Sequence, residues 1–217
     1  MGIGTQLIFV RHGEARCNVA GLLGGPATCT GLTVRGVEQV RLAAARLVVE
    51  HHTERPVQYL YAGPRRRLQE TGAVLSAVLG LPLVTDEGLD GLHHGSADGL
   101  SWRDVEAAFG GAPAAHPERA WAPGSDTWAG FLRRAGAGLA RLVERHEGQT
   151  VLIAAHGETV VAACHLFLGI PLSAAPGIGF GADHAGITRF EYRVDRFGRR
   201  SWTLALLNDT AHLRTCP

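Results

Sequence analysis

Two short apolar runs, each closed by the same dipeptide, constrain this chain more than any other feature. Residues 6–10 read Gln-Leu-Ile-Phe-Val and run into Arg11-His12-Gly13-Glu14; residues 150–155 read Thr-Val-Leu-Ile-Ala-Ala and run into His156-Gly157-Glu158. Short runs rich in β-formers, stopped abruptly by polar residues and glycine, read as buried strands. The segments between them read as helices and further strands. After a Thr33 cap, residues 33–50 place Val34, Val37, Val40, Ala44, Leu47 and Val48 on one face, as in an amphipathic helix. Residues 57–62 predict a second strand ended by Gly63-Pro64, residues 66–79 a helix closing at Gly80, and Leu83-Val84 a short third strand. Helices are expected over 101–109, over 126–146 opening at Asp126, and over 158–168; late strands are expected at 186–194 and 201–207. Strands separated by helices indicate an α/β fold with a mostly parallel sheet. With no internal repeat and no linker, residues 1–217 are expected to form a single domain. Its Gly- and His-rich stretch at 86–100 and its aperiodic stretch at 110–125 are expected to be loop or insertion.

Composition narrows the chemistry. Hydrophobic residues make up 46% and charged residues 19%, which excludes a disordered chain. A net charge of +1 lacks the basic excess of a nucleic-acid binder. All 21 basic residues are arginine, so a lysine Schiff base and a P-loop lysine are both excluded. Cys17, Cys29, Cys164 and Cys216 form no Cys-x-x-Cys pair, so no zinc knuckle or redox pair is indicated. The apolar run at 6–10 is too short for an export signal, and no window of about 18 apolar residues exists to span a membrane. A soluble, cytoplasmic protein is expected.

Ligands of such sheets bind beyond the carboxyl ends of the strands. Three strands end in suggestive residues: Arg11-His12-Gly13-Glu14, then Arg65-Arg66-Arg67 shortly after the second strand, then His156-Gly157-Glu158. A single strand-end histidine is usually a hydrogen-bonding residue, and a triple arginine is usually a solvated helix face. Their convergence at one sheet edge is what carries a functional reading. Neutral imidazole is a competent nucleophile toward phosphorus, and arginine clamps phosphate oxygens without ever losing its charge. Gly13 would let backbone approach an anion closely, and a helix starting near Asn18 could add N–H donors.

The ordered motifs resemble the histidine phosphatase superfamily, the phosphoglycerate mutase-like proteins. They are Val10-Arg11-His12-Gly13-Glu14 with Asn18; Leu32-Thr33-x-x-Gly36-x-x-Gln39; Pro64-x-x-Arg67-x-x-Glu70-Thr71; residues 151–157 ending in His156-Gly157; and Asn208-Asp209-x-x-His212-Leu213. The resemblance covers essentially the whole chain. It implies a three-layer α/β/α sandwich, with the 86–125 stretch lining a substrate pocket. It also implies His12 as a phosphorylated nucleophile, Arg11 and Arg67 as the phosphate clamp, His156 as a second, electrostatic histidine and Asn18 as a further phosphate contact. It implies no metal and no organic cofactor. The expected partner is a small phosphorylated metabolite, with no nucleic acid and no membrane; a homodimer is compatible with the reading.

One departure concerns the proton donor. The family usually carries Leu-x-Glu-x-x-x-Gly-x-x-x-Gly after the third strand, with that glutamate as general acid. Alignment on Gly95 and Gly99 puts Gly91 at the glutamate position. Asp90 is expected to take the role by a one-residue shift of the loop, with His93, His94 and Glu158 in reserve. Other departures are Ala15 for the usual Thr, Ala62-Gly63 for small hydroxyl residues, and His184 for a common Asn. Trp102, His116, Trp121 and Trp128 are available to pack on a substrate or on the scaffold. A phosphomonoester hydrolase is the favoured reading. A mutase would need a second anion site, for which residues 100–125 offer only Arg103 and Arg119. A phosphate-binding pseudo-phosphatase would have little reason to keep His12.

Overall fold

The computed structural model describes residues 2–53, 55–172 and 179–214, so Cys216 lies outside the described residues. Six strands form one sheet: β1 (Gly2–Arg11), β2 (Tyr59–Ala62), β3 (Leu83–Thr85), β4 (Thr150–Ala155), β5 (Ile187–Val194) and β6 (Arg200–Asp209), in the order β3-β2-β4-β1-β5-β6. All neighbours pair in parallel except β5, which runs antiparallel to both β1 and β6. The two apolar runs are therefore neighbours at the centre of the sheet, in a register that sets Leu7 opposite Val151 and Arg11 opposite Ala155.

Their continuous apolarity follows from burial on both faces. Successive side chains point to opposite sides. Leu7, Phe9, Val151 and Ile153 pack in one core, beneath helices α5 (Trp128–Arg145) and α6 (Gly157–Leu168). Ile8, Val10, Leu152 and Ala154 pack in the other, beneath α2 (Val34–Thr53) and α3 (Arg66–Leu79). The result is the expected three-layer α/β/α arrangement. Two further short α-helices lie among the described residues, α1 (Arg16–Val19) and α4 (Trp102–Phe109). Among the described residues no helix is long and apolar enough to cross a membrane.

Several boundaries differ from the sequence expectations for local reasons. Strand β2 starts at Tyr59 rather than 57, because the Val57 N–H turns back to donate to His51 Nδ1 at 2.9 Å. Helix α5 starts at Trp128 rather than 126. Thr127 is the cap, its hydroxyl accepting the Gly130 N–H at 3.0 Å, while the Asp126 carboxylate accepts the His93 N–H and an Arg134 N–H. Helix α3 ends at Gly80 as expected, with φ of +69°.

The Leu32–Gln39 motif locks the end of β1 onto α2. The Thr33 hydroxyl accepts the Gly36 N–H at 2.9 Å and donates to Glu14 Oε1 at 2.8 Å, and Gln39 Oε1 accepts the Glu14 N–H at 2.9 Å. Two glycines make that approach physically allowed. A Cβ on Gly13 would lie 2.1 Å from the Gly36 carbonyl oxygen, and one on Gly36 would lie 2.0 Å from the Glu14 carbonyl oxygen. On the other side, Asn208 and His212 brace the segment before β5. Asn208 accepts the Asp183 N–H at 2.7 Å, and His212 donates to the Ala185 carbonyl at 3.0 Å. Gly36→Ala is expected to destabilise the protein by at least the roughly 1–3 kcal/mol of an overpacked core site. Thermal or denaturant unfolding reads this, and an unchanged midpoint contradicts the close packing of α2 on β1.

Candidate active site

The β1–β4 register delivers His12 and His156 side by side at the carboxyl edge of the sheet. The His12 N–H donates to the Ala155 carbonyl at 2.9 Å, and the two rings meet edge to face with centroids 5.4 Å apart. His12 Nδ1 lies 2.8 Å from the Gly13 carbonyl oxygen. A carbonyl only accepts, so the proton sits on Nδ1 and the lone pair on Nε2. Arg67 Nε donates to that Nε2 at 3.2 Å, and Arg67 Nη2 donates to His156 Nδ1 at 3.3 Å. The His156 proton therefore sits on Nε2, which is buried and has no partner among the described residues. Burial first, and then the Arg67 guanidinium, pushes both imidazoles well below the ordinary histidine value of 6.5. At neutral pH both rings are uncharged, with fixed tautomers.

The arginines separate by direction. Arg67 Nη1 donates to the Gly24 carbonyl at 2.6 Å. Arg65 is equally buried and donates to the Gly24 and Leu92 carbonyls at 3.2 and 2.6 Å. Arg66 points outward to Glu70, one helical turn on. Arg11, the last residue of β1, donates to the Ala182 carbonyl and keeps a buried Nε–H without a partner. Three arginines thus surround two neutral histidines, and two buried N–H groups, on Arg11 and His156, lack acceptors. His156 is also the N-cap of α6, whose dipole adds positive potential. A tetrahedral anion supplies what these donors lack.

Asn18 is held at the rim. Its Oδ1 accepts the Ala15 N–H at 3.1 Å and a His184 Nε2–H at 3.1 Å, which leaves its Nδ2 amide to donate elsewhere. The His184 ring lies 5.6 Å from that of His12, and burial, then Arg11, lowers its pKa to about 4.

Asp90, expected from the sequence to act as the acid, is held by its neighbours. Its carboxylate accepts Arg65 Nε–H at 2.8 Å, His93 Nε2–H at 2.9 Å and the Gly91 N–H at 2.8 Å. Burial pushes this carboxyl up, but the Arg65 guanidinium and these hydrogen bonds outweigh burial and hold it below its ordinary value. This carboxylate is committed to Arg65, His93 and Gly91 instead of standing free beside an incoming alcohol. Gly91 itself packs its backbone on His156: a Cβ there would fall 2.8 Å from Nε2.

Among the reserves, His93 is engaged with Asp90, and His94 is buried with its pKa lowered to about 4, chiefly by desolvation. Glu158, in the first turn of α6, is exposed and makes no hydrogen bond or ion pair among the described residues. Its charge acts on Arg11, Arg65 and His94. It also lines a cavity of about 410 Å³ together with Asn18, Trp102, Trp121 and Trp128. His116 instead packs on Phe109.

Sequence reasoning missed Arg65. The only signal for it is position: it is the N-cap of α3, one residue before the helix, and so faces the same way as Arg67 while Arg66 faces out. His184 stood out in the sequence only as a departure.

The chain resembles characterised proteins along nearly its whole length. It is 26% identical over 219 residues to phosphoserine phosphatase 1 of Hydrogenobacter thermophilus, covering 96% of this chain and 94% of the relative. It is 27% identical over 222 residues to the glucosyl-3-phosphoglycerate phosphatase of Mycolicibacterium vanbaalenii, covering 96% of each. A solved mycobacterial glucosyl-3-phosphoglycerate phosphatase in complex with VO3 superposes with a TM-score of 0.77 at 26% identity, covering 94% of this chain and 98% of that one. Residues 7–210 match the family profile of the histidine phosphatase superfamily (branch 1), and the chain belongs to that family.

Proposed function

We propose that this phosphatase hydrolyses monoesters of small phosphorylated metabolites without a metal, through a phosphohistidine on His12. The observation that carries the reading is the fixed, neutral His12, its Nε2 lone pair facing a ring of Arg11, Arg67 and the unpartnered His156 Nε2–H. Arg67 now donates to that lone pair, and an arriving phosphate offers its guanidinium stronger, charged acceptors. Nε2 then attacks phosphorus as the ester P–O bond breaks. Arg11, Arg67 and His156 neutralise the equatorial oxygens, and Asn18 Nδ2 adds a donor. Water next attacks phosphorus, breaks the P–N bond and returns His12 with inorganic phosphate.

The leaving alkoxide needs a proton, and the carboxyl available for it is Glu158. It lines the cavity in which the alcohol would lie and is not tied up by another side chain. In the second step the same group accepts the proton of the attacking water.

Hydrolysis is favoured over a mutase reaction because the 86–125 stretch offers no second anion site. Arg119 is spent on Phe109, with its guanidinium 3.9 Å from the ring centroid, and Arg103 is exposed on α4. We read residues 1–217 as one catalytic domain with 86–125 as its substrate-pocket insertion. The free, buried thiols Cys17, Cys29 and Cys164 suit a reducing compartment such as the cytoplasm.

Three measurements test this reading. Turnover of a primary alkyl phosphate is expected to survive chelation and to be inhibited by vanadate, and His12→Ala is expected to lose about 10³-fold or more. Metal-dependent rescue after chelation contradicts it. In Glu158→Gln, hydrolysis of an alkyl phosphate is expected to fall by about 10²–10⁴-fold, while p-nitrophenyl phosphate, whose leaving group needs no proton, is nearly spared. In Asp90→Asn both substrates should fall together, through disturbance of Arg65. Selective loss in Asp90→Asn, or equal loss in Glu158→Gln, removes Glu158 from the step. The third concerns pH. Both histidines titrate well below 6.5, so kcat is expected to fall less than about threefold from about pH 7.5 to about pH 5.5. A nucleophile titrating normally would retain roughly a tenth of its neutral form at the lower pH.

A further inference from the structure

We propose that the cavity beside the phosphate site selects the monophosphate of a bulky, apolar, uncharged alcohol and rejects esters that carry a carboxylate. The proposal rests on the hydrolase reading above and names its substrate class. The cavity adjoins the phosphate site through shared hydrogen-bonding neighbours. Asn18, on its wall, is hydrogen-bonded to His184, which stacks near His12. Leu92, also on its wall, gives its carbonyl to Arg65. Glu158 lies two residues beyond His156, so an ester held by the arginines directs its alcohol into this space.

The wall is made by Leu22, Leu23, Leu92, Trp102, Trp121 and Trp128. At about 410 Å³ the cavity falls in the ordinary range for a small-molecule site, large enough for a fused-ring or comparably bulky group. Its rim is apolar as well. Leu22, Leu100 and Trp102 are 38%, 52% and 43% exposed, a surface that a ligand would cover with a gain in burial. Leu100 and Trp102 belong to the rim through backbone bonds to Leu23 and Gly21, which line the cavity or lie beside it.

Charge sets what the wall excludes. Among the described residues the charged ones on it are Glu106 and Glu158, and no arginine or histidine lines it. A substrate carboxylate would lose water against indole and leucine surfaces, with no cation to meet it and Glu106 nearby. Repulsion of this kind discriminates as effectively as an added attraction. Phosphoserine and 3-phosphoglycerate both bring such a carboxylate; an alcohol with an aromatic or branched apolar body does not.

The test compares esters of similar leaving group, so that binding and not alkoxide expulsion decides. kcat/KM is measured for 2-(2-naphthyl)ethyl phosphate, ethyl phosphate, O-phosphoserine and 3-phosphoglycerate. The naphthylethyl ester is expected to exceed both carboxylate esters by about 100-fold. Glu106→Arg is expected to raise both carboxylate esters about tenfold relative to ethyl phosphate. Trp102→Ala, at a partly exposed position, is expected to raise KM for the naphthylethyl ester alone. Carboxylate esters turned over as well as the naphthylethyl ester overturn the proposal, whatever the variants do. Failure of Glu106→Arg to improve them while the wild-type order holds removes the charge argument. Absence of turnover on all four esters and on p-nitrophenyl phosphate counts instead against the hydrolase reading, and this proposal falls with it.

Discussion

The parallel pairing of β1 with β4 is the constraint on which the rest depends. Its register sets Arg11 beside Ala155, so the residues that follow, His12 and His156, leave the sheet at the same level. A shift of one residue would turn the alternating side chains over and send both histidines away from the shared edge. Such a shift is prevented on both faces at once, since Leu7 and Phe9 fill one core while Ile8 and Val10 fill the other. The same double burial that holds the register also removes water from the histidines. Burial thus serves both the sheet packing and, together with Arg67, the neutrality of the imidazoles.

Around that pair the electrostatics are one-sided. Arg11, Arg65 and Arg67 point into the site, and of the three only Arg65 has a carboxylate hydrogen-bonded to it, Asp90. That ion pair is better understood as scaffold. It orients Arg65 toward the carbonyls of Gly24 and Leu92, and so holds the loop whose backbone covers His156. Arg11 and Arg67 keep their charge for a ligand. Asp98 plays a comparable part on the neighbouring loop, accepting the Gly25 and Ala27 N–H groups at 2.7 and 3.1 Å. Burial raises its pKa, but the Thr28 hydroxyl and these N–H groups outweigh that and hold the carboxyl below its ordinary value.

Much of this was legible in the residues. Strands buried on both faces announce themselves as unbroken apolar runs, and glycines at helix ends mark where the chain must turn. The three strand ends also foretold which side chains would meet. What stayed hidden depended on relations that no local pattern encodes. Arg65 and Arg67 face alike only because α3 begins at Arg66, and helix starts are blurred in any sequence by competing cap residues. Asp126 looked like a cap, but tertiary contacts with His93 and Arg134 took its carboxylate and left Thr127 to cap α5. Asp90 looked like a substitute acid because it stands next to Gly91. Its partner Arg65 lies 25 positions away in the chain, and no local pattern announces that contact.

The central claim is that His12 carries the phosphoryl group during turnover. Rapid quenching in base of the enzyme mixed with a labelled monoester, followed by mass mapping of the modified peptide, tests it most directly. The account predicts one adduct, on the imidazole of His12, stable to base, lost in acid, and formed and consumed at rates that match steady-state turnover. Label on any other residue, or turnover at full rate with no adduct formed fast enough to support it, would contradict the account.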